Sequence, residues 1–451
     1  MLPVTGSRYL RTAIYRFCAP VALLLAFLGM SYLYKYGDRH LYENILTTYG
    51  VVPFRFPFLD ISFPLAAWEC SRQGIDVILS DPCDVLHRSF NYSPLWIAGA
   101  AIPLGVADTT AVGWVLDLLF ILSLSLLPPP KRGCELALVV MATLSTMVVF
   151  ALERAHPDIL LFMMTLSTGF LAEGRLVARL LGYGVALLAA LLKYYPIMVL
   201  IIVFRERIAV FLTVLVVGTG VLGILFLEYH VEIARVLPLI LGGRYDTDLF
   251  AAKNLPFLVG LVAESAAEPS NFAALLGRIT TVCLYAALLT LCLAISRRLM
   301  RAGELPAALT SLRRLEQVFL VIGSAVITGC FFAGQSVGYR GVFLLLAMPG
   351  LLALSRSSVR EVRVVSFGTG VVIVLLMWGE CLRLALHHGL EQWGVPEPLA
   401  SEARIQFWLF RELCWWWVVS VMLAVLTDFL SQSPIVRRAT ILFRGLPARL
   451  Y

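Results

Sequence analysis

Residues 208–227 read IAVFLTVLVVGTGVLGILFL, an apolar run without one ionisable side chain. At about 1.5 Å of rise per residue, about twenty helical residues cover the hydrocarbon core of a bilayer. Comparable runs lie on both sides of it, at 13–34, 109–127, 134–151, 159–172, 178–204, 272–295, 315–333, 339–354, 364–384 and 408–428. The composition of the 451 residues agrees: 60% are hydrophobic, 14% are charged, and the mean hydropathy is +0.86. A soluble domain carries about 25% charged residues. The pattern predicts an all-α, polytopic helical membrane protein. It excludes a soluble enzyme, a secreted disulfide scaffold, a coiled coil and a disordered chain. It also excludes an outer-membrane barrel, whose strands read as alternating segments of about ten residues.

Topology follows from the breaks between runs. The first run, 13–34, comes after Arg8, Arg11 and Arg16; it is too long for a signal peptide and lacks a cleavage site, so it reads as a retained anchor. A piece at 94–106 is short and interrupted by Pro103 and Gly105. If it lies along the outer surface and 178–204 folds back near Lys193-Tyr194-Tyr195-Pro196, about twelve transmembrane helices result, with both termini cytoplasmic. Arg132, Arg175 and Arg301 then face inward, as the positive-inside rule asks, while Arg88 and Asp158 face outward. The rival reading makes 94–106 a span and 178–204 one helix, and it exports Lys131, Arg132, Arg175 and Arg179. Two outer loops, 35–92 and 228–271, are long enough to carry short surface helices and function. Residues 1–271 read as a catalytic transmembrane module, completed by the helices of 272–451. The net charge of +7 sits in short loops and forms no basic stripe with interleaved aromatics, so nucleic acid is not an expected partner.

Several polar residues in this apolar chain are candidates for chemistry. Asp60 lies between apolar neighbours at the start of a short helix; it reads either as a general base with a raised pKa or as a plain helix N-cap. Cys70 and Cys83 are the only cysteines assigned to outer loops, where an oxidising compartment lets them bridge, so a Cys70–Cys83 disulfide is expected, the alternative being two free thiols. No cysteine or histidine cluster has zinc spacing, so no metal site is expected. Glu153-Arg154-Ala155-His156-Pro157-Asp158 packs ionisable groups between two apolar runs, as a functional site or as a solvated turn. Lys193 and Arg340 interrupt apolar stretches and either snorkel or bind an anion. The second loop adds Arg244-Tyr245-Asp246 and Lys253-Asn254. Cations converging from several outer helix ends suit a lipid phosphate, held and stabilised as a leaving group.

The order of these motifs resembles the GT-C superfamily of membrane glycosyltransferases, and within it the family 87 polyprenyl-phosphate-mannose-dependent mannosyltransferases. The pieces are Asp60 through Tyr92-Ser93-Pro94, the 153–158 turn, Lys193-Tyr194-Tyr195-Pro196, Lys253-Asn254-Leu255 and Gly338-Tyr339-Arg340. Tyr92-Ser93-Pro94 departs from the family's Tyr-Pro-Pro, and the insert with Cys70 and Cys83 is not typical of it. The resemblance implies a GT-C-like fold in the inner (plasma) membrane with its active site on the outer, periplasmic face. It implies a polyprenyl-phosphate sugar donor, a lipid or glycan acceptor, Asp60 as the catalytic base, and no cofactor. The donor phosphate falls to Lys193, Arg340, Arg88 and Arg244, and the acceptor or sugar to Asp158, His156, Glu69, Tyr92, Asn254 and Asp246. The competing expectations are a lipid or anion transporter or flippase using the same cations, and a lipid-linked glycan ligase or polymerase.

Overall fold

In lipid, a backbone N–H or C=O has no water to bond, so an apolar chain satisfies its backbone within helices. The computed structural model follows that rule. It describes residues 5–54, 56–239, 249–265, 271–301 and 304–438, with side chains from residue 12 onward, and the described residues form helices and no sheet. In chain order these are α1 (Thr5–Tyr36), α2 (Arg39–Thr48), α3 (Leu59–Arg72), α4 (Thr109–Leu124), α5 (Gly133–Thr143), α6 (Thr146–Arg154), α7 (Asp158–Leu171), α8 (Leu176–Leu192) and α9 (Ile208–Val236). The second half adds α10 (Asn254–Ser265), α11 (Asn271–Arg301), α12 (Glu304–Thr310), α13 (Arg314–Ala333), α14 (Leu344–Leu354), α15 (Arg360–Met377), α16 (Gly379–Gln392) and α17 (Glu397–Gln432). Tight 3-10 segments cover Pro94–Ala101, Tyr195–Arg205 and Gly338–Phe343.

Seven of the described helical stretches are long and apolar enough to cross a membrane, or eight if α15 and α16, bent by 64°, make one broken span. Five shorter apolar helices accompany them: Asp158–Leu171, Leu176–Leu192, Tyr195–Arg205, Asn254–Ser265 and Gly338–Leu354. The chain is thus a helical, multi-pass membrane protein by length and composition.

Polar contacts fix the register of the bundle. At one end Arg356, after α14, bonds Glu135 of α5 at 2.9 Å and Glu316 of α13 at 3.2 Å. At the same end of α7 and α8, Arg205 pairs with Glu173 at 2.6 Å and Arg179 with Glu206 at 2.7 Å. The expected break at Lys193 is present. Helix α8 stops at Leu192, Lys193 is extended (φ −145°, ψ 141°), and Tyr195–Arg205 runs back beside α8 until Glu206 accepts a 2.7 Å hydrogen bond from Tyr183. A single helix over 178–204 is therefore not formed, because Lys193 turns aside to reach an acid. The 94–106 piece folds onto α3, where Arg72 donates to the carbonyls of Ala100, Ile102 and Leu104.

The core is centred on α13, buried almost without interruption from Val318 to Phe331 and packed against α14, α17 and Tyr195–Arg205. Lipid tails are as apolar as leucine, so helices in a membrane associate through close packing. Gly323 makes that possible here: a Cβ at this position would lie 2.7 Å from the backbone nitrogen of Ala347 in α14. This core draws side chains from both sides of the 271/272 division.

Candidate functional site

At the end of the bundle opposite Glu135, short backbone irregularities aim several ionisable groups at one another. The first is at Phe58, which adopts the left-handed region (φ 69°, ψ 31°) just before α3. Its N–H donates to the Glu153 carbonyl at 2.7 Å, and its ring lies on α4 where Gly113 leaves room; a Cβ there would be 2.5 Å from the ring. A bulky residue at positive φ costs about 1–3 kcal/mol and persists only where its surroundings hold it. The result ties the start of α3 to the end of α6. It also rules out the plain N-cap reading of Asp60: the cap position is Phe58, without a side-chain cap bond, and Asp60 is the second helical residue.

The second irregularity is Ala155 (φ 43°, ψ 50°), which ends α6 in a tight turn and lets α7 begin at Asp158. His156, at the centre of that turn, is 1% exposed. Its Nδ1 accepts a 3.1 Å hydrogen bond from the Asp158 N–H, which leaves the ring proton on Nε2, 4.0 Å from Asp60. Burial and the charge of Lys193 push the imidazole well below its usual range, so it is neutral. Tyr339 stacks on the same ring at 3.7 Å between centroids.

Asp158 is fully buried and gathers the cations. Lys193 reaches it at 2.6 Å, and Arg340 Nε stands 3.6 Å away, beyond hydrogen-bond length. Both Arg340 Nε and Asp158 Oδ2 lack a hydrogen-bond partner. Lys193 also lies over the Tyr92 ring at 4.8 Å, and Arg340 over the Tyr195 ring at 5.1 Å while donating to Ser336 Oγ at 3.0 Å. Two cations thus share one buried carboxylate.

Asp60 completes the cluster. Arg88 stands 3.7 Å from it, and the Asp60 side chain keeps 19% exposure. Burial raises its pKa above the usual carboxylate range, against the charges of Arg154 and Arg88. Arg88 is itself clamped by Asp84 through two 2.9 Å hydrogen bonds and lies over Phe63 at 4.4 Å. The loop carrying Asp84 is stapled to the end of α3 by a Cys70–Cys83 disulfide, with Cα atoms 5.8 Å apart. Glu153 and Arg154 pair at 2.8 Å behind Asp60, and Arg154 also donates to the Val52 carbonyl at 2.9 Å.

The structure therefore brings together Asp60, Arg88, Tyr92, His156, Asp158, Lys193 and Arg340. It also gives the other expected site residues partners within the protein. Lys193 and Arg340, expected to snorkel or bind an anion, face the same carboxylate, that of Asp158. Asp158, expected to meet sugar or acceptor, is their buried counter-ion. Glu69, expected at the acceptor or sugar, accepts a 3.0 Å bond from the Val106 N–H and braces the 105–106 turn. Asn254 is fully buried, donating to the Leu249 carbonyl at 3.1 Å and accepting from Gln335, so it fastens the loop before α10 to the turn that holds Ser336. Arg244 and Asp246 lie outside the described residues.

Tyr195 and Tyr339 lie in motifs quoted from the sequence but carried no role of their own there, and Asp84 and Ser336 carried none either. The four-residue spacing of Asp84 and Arg88 was a usable signal; the stacking of Tyr339 on His156 joins residues far apart in the chain and left none. No protein-family model, curated protein or solved structure matches this chain.

Proposed function

We propose that this protein is an integral membrane glycosyltransferase that moves a sugar, mannose or a close relative, from a polyprenyl-phosphate donor to a lipid or glycan acceptor. The observation that carries the reading is the partly open Asp60, set between Arg88 and a neutral His156 and adjoining the Lys193–Asp158–Arg340 group. A base and a cationic anion site within one cluster are what direct displacement at an anomeric carbon requires. The resemblance to GT-C enzymes supports the same chemistry.

In this reading the donor phosphate takes up the unfilled hydrogen-bonding capacity of Arg340, with Lys193 beside it. Asp60 accepts the proton of the acceptor hydroxyl as that oxygen attacks the anomeric carbon. The bond from that carbon to the phosphate oxygen breaks, and polyprenyl phosphate leaves with the electron pair. One displacement inverts configuration. Negative charge grows on the leaving phosphate, so the cations bind it more tightly in the transition state than in the ground state.

Two further features support an amphiphilic substrate. An apolar groove of about 410 Å³, walled by α1, α4 and α6, reaches Phe58, two residues from Asp60. In the same reading the chain passes twelve times between the two ends of the bundle, the shorter apolar helices and the Tyr195–Arg205 segment serving as passes beside the seven or eight long apolar helices. In this reading the start of α1 and the end of α17 lie on the cytoplasmic side with the basic loops, and Asp60 faces outward, where lipid-linked sugars are consumed.

The test is a donor screen: purified protein, a panel of polyprenyl-phosphate sugars and an extracted lipid acceptor pool, read by product mass. Asp60→Asn should cut turnover by about 10²–10⁴-fold, while Arg340→Ala should weaken donor binding as well. A folded Asp60→Asn variant with near-normal transfer overturns the assignment.

A further inference from the structure

A second site of different character lies at the far end of the bundle. Between α8, the Tyr195–Arg205 segment, α13 and the end of α17 is a polar cavity of about 550 Å³ into which four arginines project: Arg179, Arg205, Arg207 and Arg314. Two are spent on acids, Arg179 on Glu206 and Arg205 on Glu173. Arg207 and Arg314 are exposed and have no carboxylate partner among the described residues. The cavity therefore holds a surplus of positive charge, with Gln317, Gln432 and Ser433 as neutral polar groups on its wall.

An apolar groove lies next to this basic cavity along the same helices. Along α13 the lining passes from Arg314, Gln317, Val318 and Val321 in the polar cavity to Ala325 and Thr328 in an apolar groove of about 410 Å³. Those steps of three and four residues trace one helix face. Along α17 the same passage runs from Gln432 and Phe429 to Leu426. The opposite wall of the groove is α9, which packs loosely: 6% of its most apolar window is buried. Gly218 on α9 faces open space in the groove.

We infer that this composite cavity binds an anionic phospholipid, its phosphate between Arg207 and Arg314 and one acyl chain in the groove along α9. Charge selects the occupant. A neutral lipid leaves Arg207 and Arg314 without a counter-ion, and a soluble phosphate leaves the groove uncovered. The groove's other end, at Ile197, offers no free cation, because Lys193 is engaged by Asp158. The site stands apart from the Asp60 cluster, and the inference does not depend on transferase activity.

The test is native mass spectrometry of the full-length protein released from phosphatidylcholine nanodiscs, titrated with phosphatidylglycerol. Phosphatidylglycerol should bind in preference to phosphatidylcholine. Each arginine near a lipid surface contributes about 1 kcal/mol, so Arg207→Ala with Arg314→Ala should weaken binding by roughly 30-fold. The Arg207→Lys, Arg314→Lys variant should keep most of it, and Arg297→Ala, at the same end but outside the cavity, should change nothing. Gly218→Leu fills the groove and leaves the arginines in place; it should also reduce binding. Three outcomes overturn the proposal: equal binding of the two lipids, an unchanged affinity in the double alanine variant, or displacement by free polyprenyl phosphate but not by phosphatidylglycerol.

Discussion

Replacing Asp158 by Asn tests whether one buried carboxylate organises the cluster. Asp158 has no exposed surface, and the side chains of its partners Lys193 and Arg340 are 9% and 14% exposed. Loss of the negative charge leaves two shielded cations facing each other without a counter-ion. Breaking a buried pair by removing one partner costs about 3–5 kcal/mol, most of it the desolvation of the charge left behind. Asp158→Asn should therefore lower stability by about that much. Adding Lys193→Met removes the more buried cation and should return about 1–3 kcal/mol, the coupling expected between residues in contact. The assay is equilibrium unfolding in mixed micelles on a denaturing-detergent titration, followed by tryptophan fluorescence for wild type, both single variants and the double variant. A loss below about 1 kcal/mol for Asp158→Asn, or a double variant no more stable than Asp158→Asn alone, refutes a buried shared carboxylate.

Three other outcomes follow from the same geometry. Because burial raises the Asp60 pKa, the acid limb of the rate profile should lie above the ordinary carboxylate range; Arg88→Gln removes an opposing charge and should move it higher, and an unmoved limb in kcat/KM between pH 4 and 8 argues against Asp60 as base. The sign for stability is the reverse of a salt-bridged acid: a raised pKa favours the protonated folded form, so the penalty is present at neutral pH and relieved as pH falls through the folded pKa, and Asp60→Asn should not destabilise at pH 7. Gly113→Ala puts a methyl 2.5 Å from the Phe58 ring and should cost about 1–3 kcal/mol while lowering turnover by displacing Asp60, read by unfolding beside the transfer assay; unchanged stability and rate refute the contact. In intact cells lacking the seven unbridged cysteines, Leu79→Cys should react with an impermeant maleimide and Arg132→Cys should not; the opposite pattern inverts the topology.

The amino-acid sequence by itself determined the class of fold, because apolar runs of bilayer length have no other way to satisfy their backbone. It also located the break at Lys193, since an ammonium and Pro196 in an apolar run both oppose a continuous helix. It picked out most of the ionisable residues at the Asp60 end, because charge in an apolar chain is expensive and stands out. What it left open is who pairs with whom. Asp158 and Lys193 are joined by the return of α8 alongside α7, and Arg340 arrives from the other half of the chain through the turn at Ser336. Glu69 and Asn254 have the composition of substrate ligands, yet the tertiary structure spends them on loop backbone. The N-cap reading of Asp60 was removed by the left-handed turn at Phe58, held by the Glu153 carbonyl and the space over Gly113. Hydropathy is a local property and is written along the chain. The pairing of charges depends on which helix ends meet in space, and only the packed bundle decides that.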